Sequence, residues 1–175
     1  PISLEYLRKN IAINVCGNVS VFPVGLSNED KTGRFRLSKA HTGSSRLDDD
    51  RSKKDDSIEI KVVALDSIRG SLDLDKISFI KIDVEGGEVK ILEGAKKLLS
   101  HISPIILLEC NSSLYKESGV SLARFIAICD CLGYTPHKVP SLECLRDGRL
   151  SLQEFRLAPD SECRENLILT KTPIA

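Results

Sequence analysis

The 175-residue sequence contains no methionine and begins with Pro1. A complete reading frame normally keeps, or has recently lost, an initiator methionine, so the composition favours a truncated chain or an excised domain. The 25 basic and 25 acidic side chains cancel, which leaves no net charge. Bulk charge therefore gives no support to a nucleic acid or an anionic membrane surface as a partner.

Long apolar segments are also absent from the sequence. No run reaches the ~20 residues that span a bilayer, and the first ten residues have no apolar core of a signal peptide. We therefore expect a cytoplasmic protein that has no membrane partner. The length suits one domain with a real core, since domains commonly hold ~100–200 residues.

The six cysteines show no metal-binding pattern. No Cys-x-x-Cys occurs, and none of the three histidines pairs with a cysteine at ligand spacing. The sequence therefore predicts no metal site. It predicts reduced thiols, some of them buried as small apolar side chains.

The most informative stretch is residues 79–99, which read FIKIDVEGGEVKILEGAKKLL. Residues 77–82 are rich in β-branched and aromatic types and predict a buried strand. After an acidic glycine turn, apolar residues recur at helical spacing at Val89, Leu92, Ala95 and Leu99. In an open α/β sheet, ligands bind outside the carboxyl ends of the strands. We therefore place the centre of the chemistry at Asp83 and Glu85, in the turn.

Helices and strands alternate along the rest of the chain. Helices are predicted over residues 3–14 and 121–132, the second capped by Ser121 and ended by Gly133. Strands are predicted over residues 19–24, 33–38, 57–65, 103–109, 134–139 and 166–171. Residues 39–56 and 140–165 are predicted to be connecting segments. This order predicts an α/β fold with a largely parallel sheet, helices on both faces and an antiparallel element at the end.

Residues 80–88, IKIDVEGGE, resemble the strongest segment of the FkbM family of S-adenosylmethionine-dependent methyltransferases, which is approximately I-K-I-D-V-E-G-x-E. Further matches follow the order of the family. They are Leu7-Arg8-Lys9-Asn10, residues 19–24 with Leu26-Ser27, Leu65-Asp66, and residues 104–109, which end in Glu109. The resemblance extends over about the whole chain.

The resemblance implies a Rossmann-like class I methyltransferase sheet, mostly parallel with an antiparallel C-terminal strand. The family's first strand, its D-x-G-A-x-x-G loop and its second strand, which ends in Glu-Pro, have no counterpart in the sequence. Pro1 resembles the proline of that Glu-Pro. The chain is therefore predicted to be a single FkbM-type domain, residues 1–175, that begins behind the glycine loop.

The resemblance further implies S-adenosyl-L-methionine as cofactor and O-methylation of a sugar or small-metabolite hydroxyl. Such a transfer needs donor and acceptor to be positioned, and a base to take the hydroxyl proton. The predicted catalytic residues are Asp83, Glu85 and Glu109. The predicted cofactor-binding residues are Leu26, Ser27 and Asp83. Close carboxylates raise one another's pKa, which favours a base near neutral pH.

Other interpretations stay open on the residues alone. The chain can be a non-catalytic or truncated methyltransferase-like module that acts as a binding domain. The carboxylates can instead share a divalent metal, or Asp83 and Glu85 can belong to a metal-dependent phosphohydrolase or receiver-like domain. Purely structural roles compete as well: Gly86 and Gly87 would allow a tight turn, and Glu88 would favour the helix N-terminus electrostatically.

Overall fold

The computed structural model describes residues 2–36, 46–48, 57–139 and 152–171. Within these residues the chain is a mixed α/β fold with six helices and two four-stranded sheets. The helices are α1 (Ile2–Ile13), α2 (Leu65–Ile68), α3 (Glu88–Gly94), α4 (Lys96–Ile102), α5 (Ser112–Glu117) and α6 (Leu122–Leu132). The strands are β1 (Gly25–Ser27), β2 (Lys31–Arg36), β3 (Arg46–Asp48), β4 (Ser57–Ala64), β5 (Phe79–Ile82), β6 (Ile105–Asn111), β7 (Thr135–Lys138) and β8 (Arg164–Thr170).

The first sheet has the strand order β1-β4-β2-β3. β1 runs parallel to β4, whereas β2 is antiparallel to both β3 and β4. The prediction of a strand over residues 19–24 is wrong, because the strand forms at Gly25–Ser27, where pairing partners on β4 are available. Pro23 lacks the N–H that a ladder needs, which disfavours the earlier position.

The second sheet has the order β5-β6-β8-β7. β5 is parallel to β6, and β8 is antiparallel to β6 and β7, so the predicted antiparallel C-terminal strand is confirmed. The prediction of a mostly parallel sheet is wrong for the described residues, where two of the six strand pairings are parallel. Parallel neighbours need a long crossover, and the connections into β2 and β3 contain no helix in the described residues.

The helices around β5 and β6 form the main core. The helical pattern of residues 88–99 is interrupted at Ala95, where φ is −115° and ψ is 11°, so that α3 and α4 are separate helices. Asp66 accepts hydrogen bonds from the Lys97 and Leu98 amides at 2.9 and 2.8 Å. This carboxylate therefore satisfies the N–H groups at the start of α4, which is a structural role.

The predicted start and end of helix α6 are confirmed. The Ser121 side chain accepts a hydrogen bond from the Arg124 amide at 3.2 Å, and Gly133 ends the helix with φ at 72°. Helix α1 also forms as predicted, but none of its residues is buried. The two helices therefore differ in how they are held in place, although both are amphipathic in sequence.

Parts of the two predicted connecting segments lie outside the described residues. These parts are 39–45, 49–56 and 140–151, whereas 46–48 form β3. Within the described ranges, no helix combines the length and apolar character that crossing a bilayer requires.

Candidate active site

Two clefts open around the carboxyl end of β5. The first is mostly apolar and has a volume of about 230 Å³; Leu26 and Asp83 are among its lining residues. The second is polar, has a volume of about 590 Å³, and is lined by both Glu85 and Glu109. The structure thus brings together the two predicted catalytic glutamates and places Asp83 in the neighbouring cleft.

The turn after β5 is held in an uncommon backbone conformation. Glu85 and Gly86 both lie in the left-handed region, with φ of 55° and 99°. For a non-glycine residue this conformation costs about 1 kcal/mol or more, and such residues occur often at functional sites. A Cβ atom on Gly86 would lie 2.7 Å from the Leu114 carbonyl oxygen, so the turn packs directly on α5. This packing explains why glycine is needed here.

The Glu88 side chain stabilises this turn through hydrogen bonds to its backbone. Its side chain is 1% exposed, and its Oε1 accepts hydrogen bonds from the Val84 and Gly86 amides at 3.3 and 3.4 Å. Its Oε2 has no hydrogen-bond partner in the described structure. Burial raises the pKa of Glu88, and the charge of Glu109 raises it further. The role of Glu88 is therefore wider than the electrostatic effect on the helix that the sequence predicts.

Glu109 lies within β6, which extends two residues beyond the predicted strand end. Asn111 orients it, because the Asn111 Nδ2 donates to Glu109 Oε1 at 3.3 Å. The same asparagine accepts from the Leu114 amide at 3.3 Å and so caps α5, a helix that the sequence pattern does not predict. A single side chain therefore links the carboxylate to the helix beneath the turn.

The opposite wall of the polar cleft comes from residues 162–164, which are Glu162, Cys163 and Arg164. Cys163 is held against the start of α5 by two hydrogen bonds with Ser112: the Ser112 amide donates to the Cys163 carbonyl at 2.9 Å, and the Cys163 amide donates to Ser112 Oγ at 3.1 Å. The sequence does not predict this wall, since residues 140–165 carry no clear periodicity. The alternation that starts at Arg164 is the only local signal, and it is short.

The predicted cofactor residues separate in the structure. Leu26 lines the apolar cleft together with Asp83, which is exposed and paired with Lys81. Ser27 is buried and is not among the lining residues; its hydroxyl bonds to Asn28 Oδ1 at 3.2 Å. A Cβ atom on Gly94 would collide with the Ser27 carbonyl oxygen, so α3 approaches β1 at backbone distance. In the described residues, no three His, Cys, Asp or Glu side chains converge as ligands of a metal ion would.

This geometry occurs in a chain whose residues 1–136 match the family model of the methyltransferase FkbM domain. The fold and the sequence match thus place the chain in the class of methyltransferase domains. The match extends over well more than half of the chain, which therefore belongs to the FkbM methyltransferase domain family. Glu85 and Glu109 lie inside the matched region, and residues 162–164 lie outside it.

The crystal structure of a methyltransferase FkbM from Methylobacillus flagellatus KT is similar to this fold, with a TM-score of 0.50 and 17% sequence identity. The similarity covers 97% of this chain and 34% of that chain, so this chain spans about a third of that protein's length. At this identity the likeness concerns the fold alone. No curated protein matches the chain.

Proposed function

We propose that this chain forms the acceptor-binding part of an S-adenosyl-L-methionine-dependent methyltransferase that acts on a hydroxyl of a sugar or other small metabolite. One observation carries the proposal: a polar cleft at the carboxyl ends of two parallel strands of an FkbM domain is lined by both Glu85 and Glu109. A cleft of about 590 Å³ lies within the ~300–1,000 Å³ typical of small-molecule sites.

Hydroxyl methylation needs an oxygen held in line with the methyl group and a base that takes its proton. Glu109 is the proposed base, because it lines the cleft and a hydrogen bond from Asn111 fixes its orientation. Glu85, held by the turn at the other side of the cleft, is the proposed anchor for a neighbouring hydroxyl group. The two carboxylates accept hydrogen bonds, so they suit a methyl-accepting substrate with several hydroxyl groups, such as a sugar.

The apolar cleft fits part of the cofactor. Leu26 and Ile82 offer apolar surface to a planar base, and Asp83 offers a carboxylate to hydroxyl or amino groups. Its volume of about 230 Å³ is below the ~300–1,000 Å³ of typical ligand pockets, so these residues would hold only a portion of the molecule. The bound cofactor supplies an activated methyl group, and the chain's residues contribute binding and orientation.

The proposed base is tested by Glu109→Gln, which keeps shape and removes basicity. Transfer of labelled methyl groups to a panel of sugars should show kcat lowered by ~10²–10⁴-fold with KM nearly unchanged. The matched control is Glu162→Gln in the opposite wall, for which we expect a change in KM at most. Unchanged kcat in both Glu109→Gln and Glu85→Gln would refute the assignment of the two glutamates.

Cofactor binding is tested separately by calorimetry with S-adenosyl-L-methionine. Asp83→Asn should weaken binding, whereas Asp73→Asn, in an exposed turn away from both clefts, should leave it unchanged. Binding of the cofactor without turnover of any acceptor would favour the binding-module interpretation over an enzyme. Equal affinity for wild type and Asp83→Asn would remove Asp83 from the cofactor site.

A further inference from the structure

Two cysteines meet in the wall of the polar cleft. Cys110 lies in β6 opposite Glu165 of β8, the register ends with Asn111 opposite Arg164, and one pair further the Ser112 amide donates to the Cys163 carbonyl. Directly opposed residues share a face of the sheet, and residues two apart on one strand share it too. Cys110 and Cys163 are therefore diagonal neighbours on one face, and both are unpaired thiols.

The two thiols differ slightly in exposure. Both belong to the buried core; Cys110 is 0% exposed, and Cys163 is 5% exposed and is one of the residues that line the cleft. A hydrogen bond between the thiols raises the pKa of Cys110, in which burial acts in the same direction, and lowers the pKa of Cys163. Cys163, one of the residues that line the cleft, is therefore the more readily deprotonated thiol of the pair, and Cys110 is its diagonal neighbour on the buried face of the sheet.

We propose that Cys110 and Cys163 form a reversible dithiol–disulfide site in the wall of the polar cleft. The inference does not depend on the proposed methyltransferase activity, since it concerns these thiols alone. Among the described cysteines, Cys16 and Cys131 are not fully buried but have no thiol partner on a facing strand, and Cys129 is buried within α6. The pair is therefore distinguished by position and by access together.

The oxidation balances with a hydroperoxide as oxidant. The Cys163 thiolate attacks one peroxide oxygen, the O–O bond breaks, and the leaving oxygen takes a proton to become water, which leaves a sulfenic acid on Cys163. The Cys110 thiol then attacks that sulfur, the S–O bond breaks, and a second water leaves with the Cys110 proton. Two thiols and one hydrogen peroxide thus give one disulfide and two waters.

Strand geometry indicates that this disulfide is easily reduced. Diagonal neighbours lie ~7–8 Å apart at Cα, slightly beyond the ~4.4–6.8 Å usual for a disulfide. Closing the bond therefore requires a small shift at Cys163, which lies just before the first residue of β8 and is held there by its two hydrogen bonds with Ser112. Strained disulfides have higher reduction potentials and are the labile ones.

The test treats the reduced full chain with hydrogen peroxide, blocks the remaining thiols with iodoacetamide and maps the peptides by mass spectrometry. We expect a Cys110–Cys163 linked peptide two hydrogens lighter than its reduced parts, reversed by dithiothreitol. Cys163→Ser and Cys110→Ser should each abolish it, and Cys131→Ser should not. Oxidation that produces only other linkages, or only dimers through Cys131, would overturn the proposal.

A second measurement on the wild-type chain covers the case in which a serine variant fails to fold. Phenylarsine oxide bridges two adjacent thiols with release of water, so it reports their proximity without oxidation. One equivalent should bind the native chain and protect Cys110 and Cys163 from later alkylation, and prior oxidation should block it. Alkylation of Cys163 that occurs only after unfolding, with no arsenical bound beforehand, would refute access from the cleft.

Discussion

The half of the molecule built on β5–β8 and the half built on α1 and β1–β4 differ in how much they bury. Among the described residues, the main core cluster contains buried side chains from β5 onward and none from the first sheet or α1. Helix α6 buries five residues, whereas α1, of similar length, buries none. Of these two helices, α6 packs against a covering face and α1 does not, so an amphipathic sequence alone does not bury a helix.

The candidate site depends on the better-packed half. The turn with Glu85 rests on α5, and Glu109 belongs to a strand paired on both edges. The first sheet reaches this half through α3, where Gly94 meets Ser27 and where Asn28 donates to Glu93 at 3.3 Å. Side chains in the half built on β5–β8 should thus control the stability of the chain. Those at the contact between α3 and β1 should control how the two halves pack together.

The largest effect on stability should come from truncating a buried side chain in the half built on β5–β8. Phe125→Ala removes a ring that is fully buried and lies 5.9 Å from Tyr115, centroid to centroid. We expect a loss of about 3–5 kcal/mol in the free energy of unfolding, measured in urea. Phe22→Ala, at a ring that is 46% exposed, should cost less than about 1 kcal/mol. Equal losses would show that the two halves do not differ as described.

The contact between the halves is tested by Gly94→Ala. The new methyl group would collide with the backbone of Ser27, which cannot yield as a flexible side chain does. We expect a loss of about 1–3 kcal/mol from overpacking. Gly70→Ala, which meets nothing within 4 Å, is the matched control and should change stability little. A neutral Gly94→Ala would mean that β1 moves away from α3 without cost.

The half built on β5–β8 also contains the buried carboxyl group of Glu88, whose titration should change stability with pH in a definite direction. Burial raises the pKa of Glu88 in the folded state, so the native chain holds this proton more tightly than the unfolded chain. Stability from Glu88 is therefore full below its unfolded pKa and is lost as pH rises through its folded pKa. The loss is about 1.4 kcal/mol for every tenfold difference in proton affinity between the two states. Glu88→Gln, which mimics the protonated acid, should lack this loss.

The measurement is urea unfolding of wild type and Glu88→Gln across the acidic to neutral range. The stability of wild type relative to the variant should fall with rising pH. Glu59→Gln, at an exposed position on β4, should instead follow wild type at every pH. A relative stability that rises with pH would show that Glu88 is stabilised as the carboxylate.

The smallest expected effects concern ion pairs. Arg124 of α6 bonds Glu93 of α3 through two hydrogen bonds of 2.6 and 2.7 Å, and the Glu93 side chain is 16% exposed. Arg124→Ala should cost about 1 kcal/mol, since this pair is two-pronged and partly buried. Lys9→Ala breaks an exposed pair with Glu5 on α1 and should cost about 0.3 kcal/mol. A thermal-melt comparison that reversed this order would contradict the contrast in packing between α6 and α1.

Much of the second sheet and the centre of the site could be predicted from the sequence. β5 and its acidic turn carry dense local signals, namely a β-branched run, paired glycines and a helical repeat. The meeting of Glu85 and Glu109 follows from their places near the carboxyl ends of neighbouring parallel strands. Local pattern is sufficient where each element is fixed mainly by its own residues.

Long-range contacts account for the failures. The break at Ala95 is not visible in the apolar repeat, because it depends on Asp66, about thirty residues away, satisfying the start of α4. The shift of the first strand to Gly25–Ser27 reflects pairing with β4 rather than β propensity, which is strongly context-dependent. The burial of Glu88 likewise depends on how the turn packs on α5.

The alternation in β8 has a consequence for how this protein can change over evolutionary time. Leu167 and Leu169 are buried, and six register pairs fix the strand against β6. A slip by one residue would turn both leucines away from the core, so the leucines set the register independently of how many residues precede the strand. Arg164 therefore stays at the cleft only while this register is kept. Descendants of this chain can exchange the side chains of β8 more freely than they can change its parity.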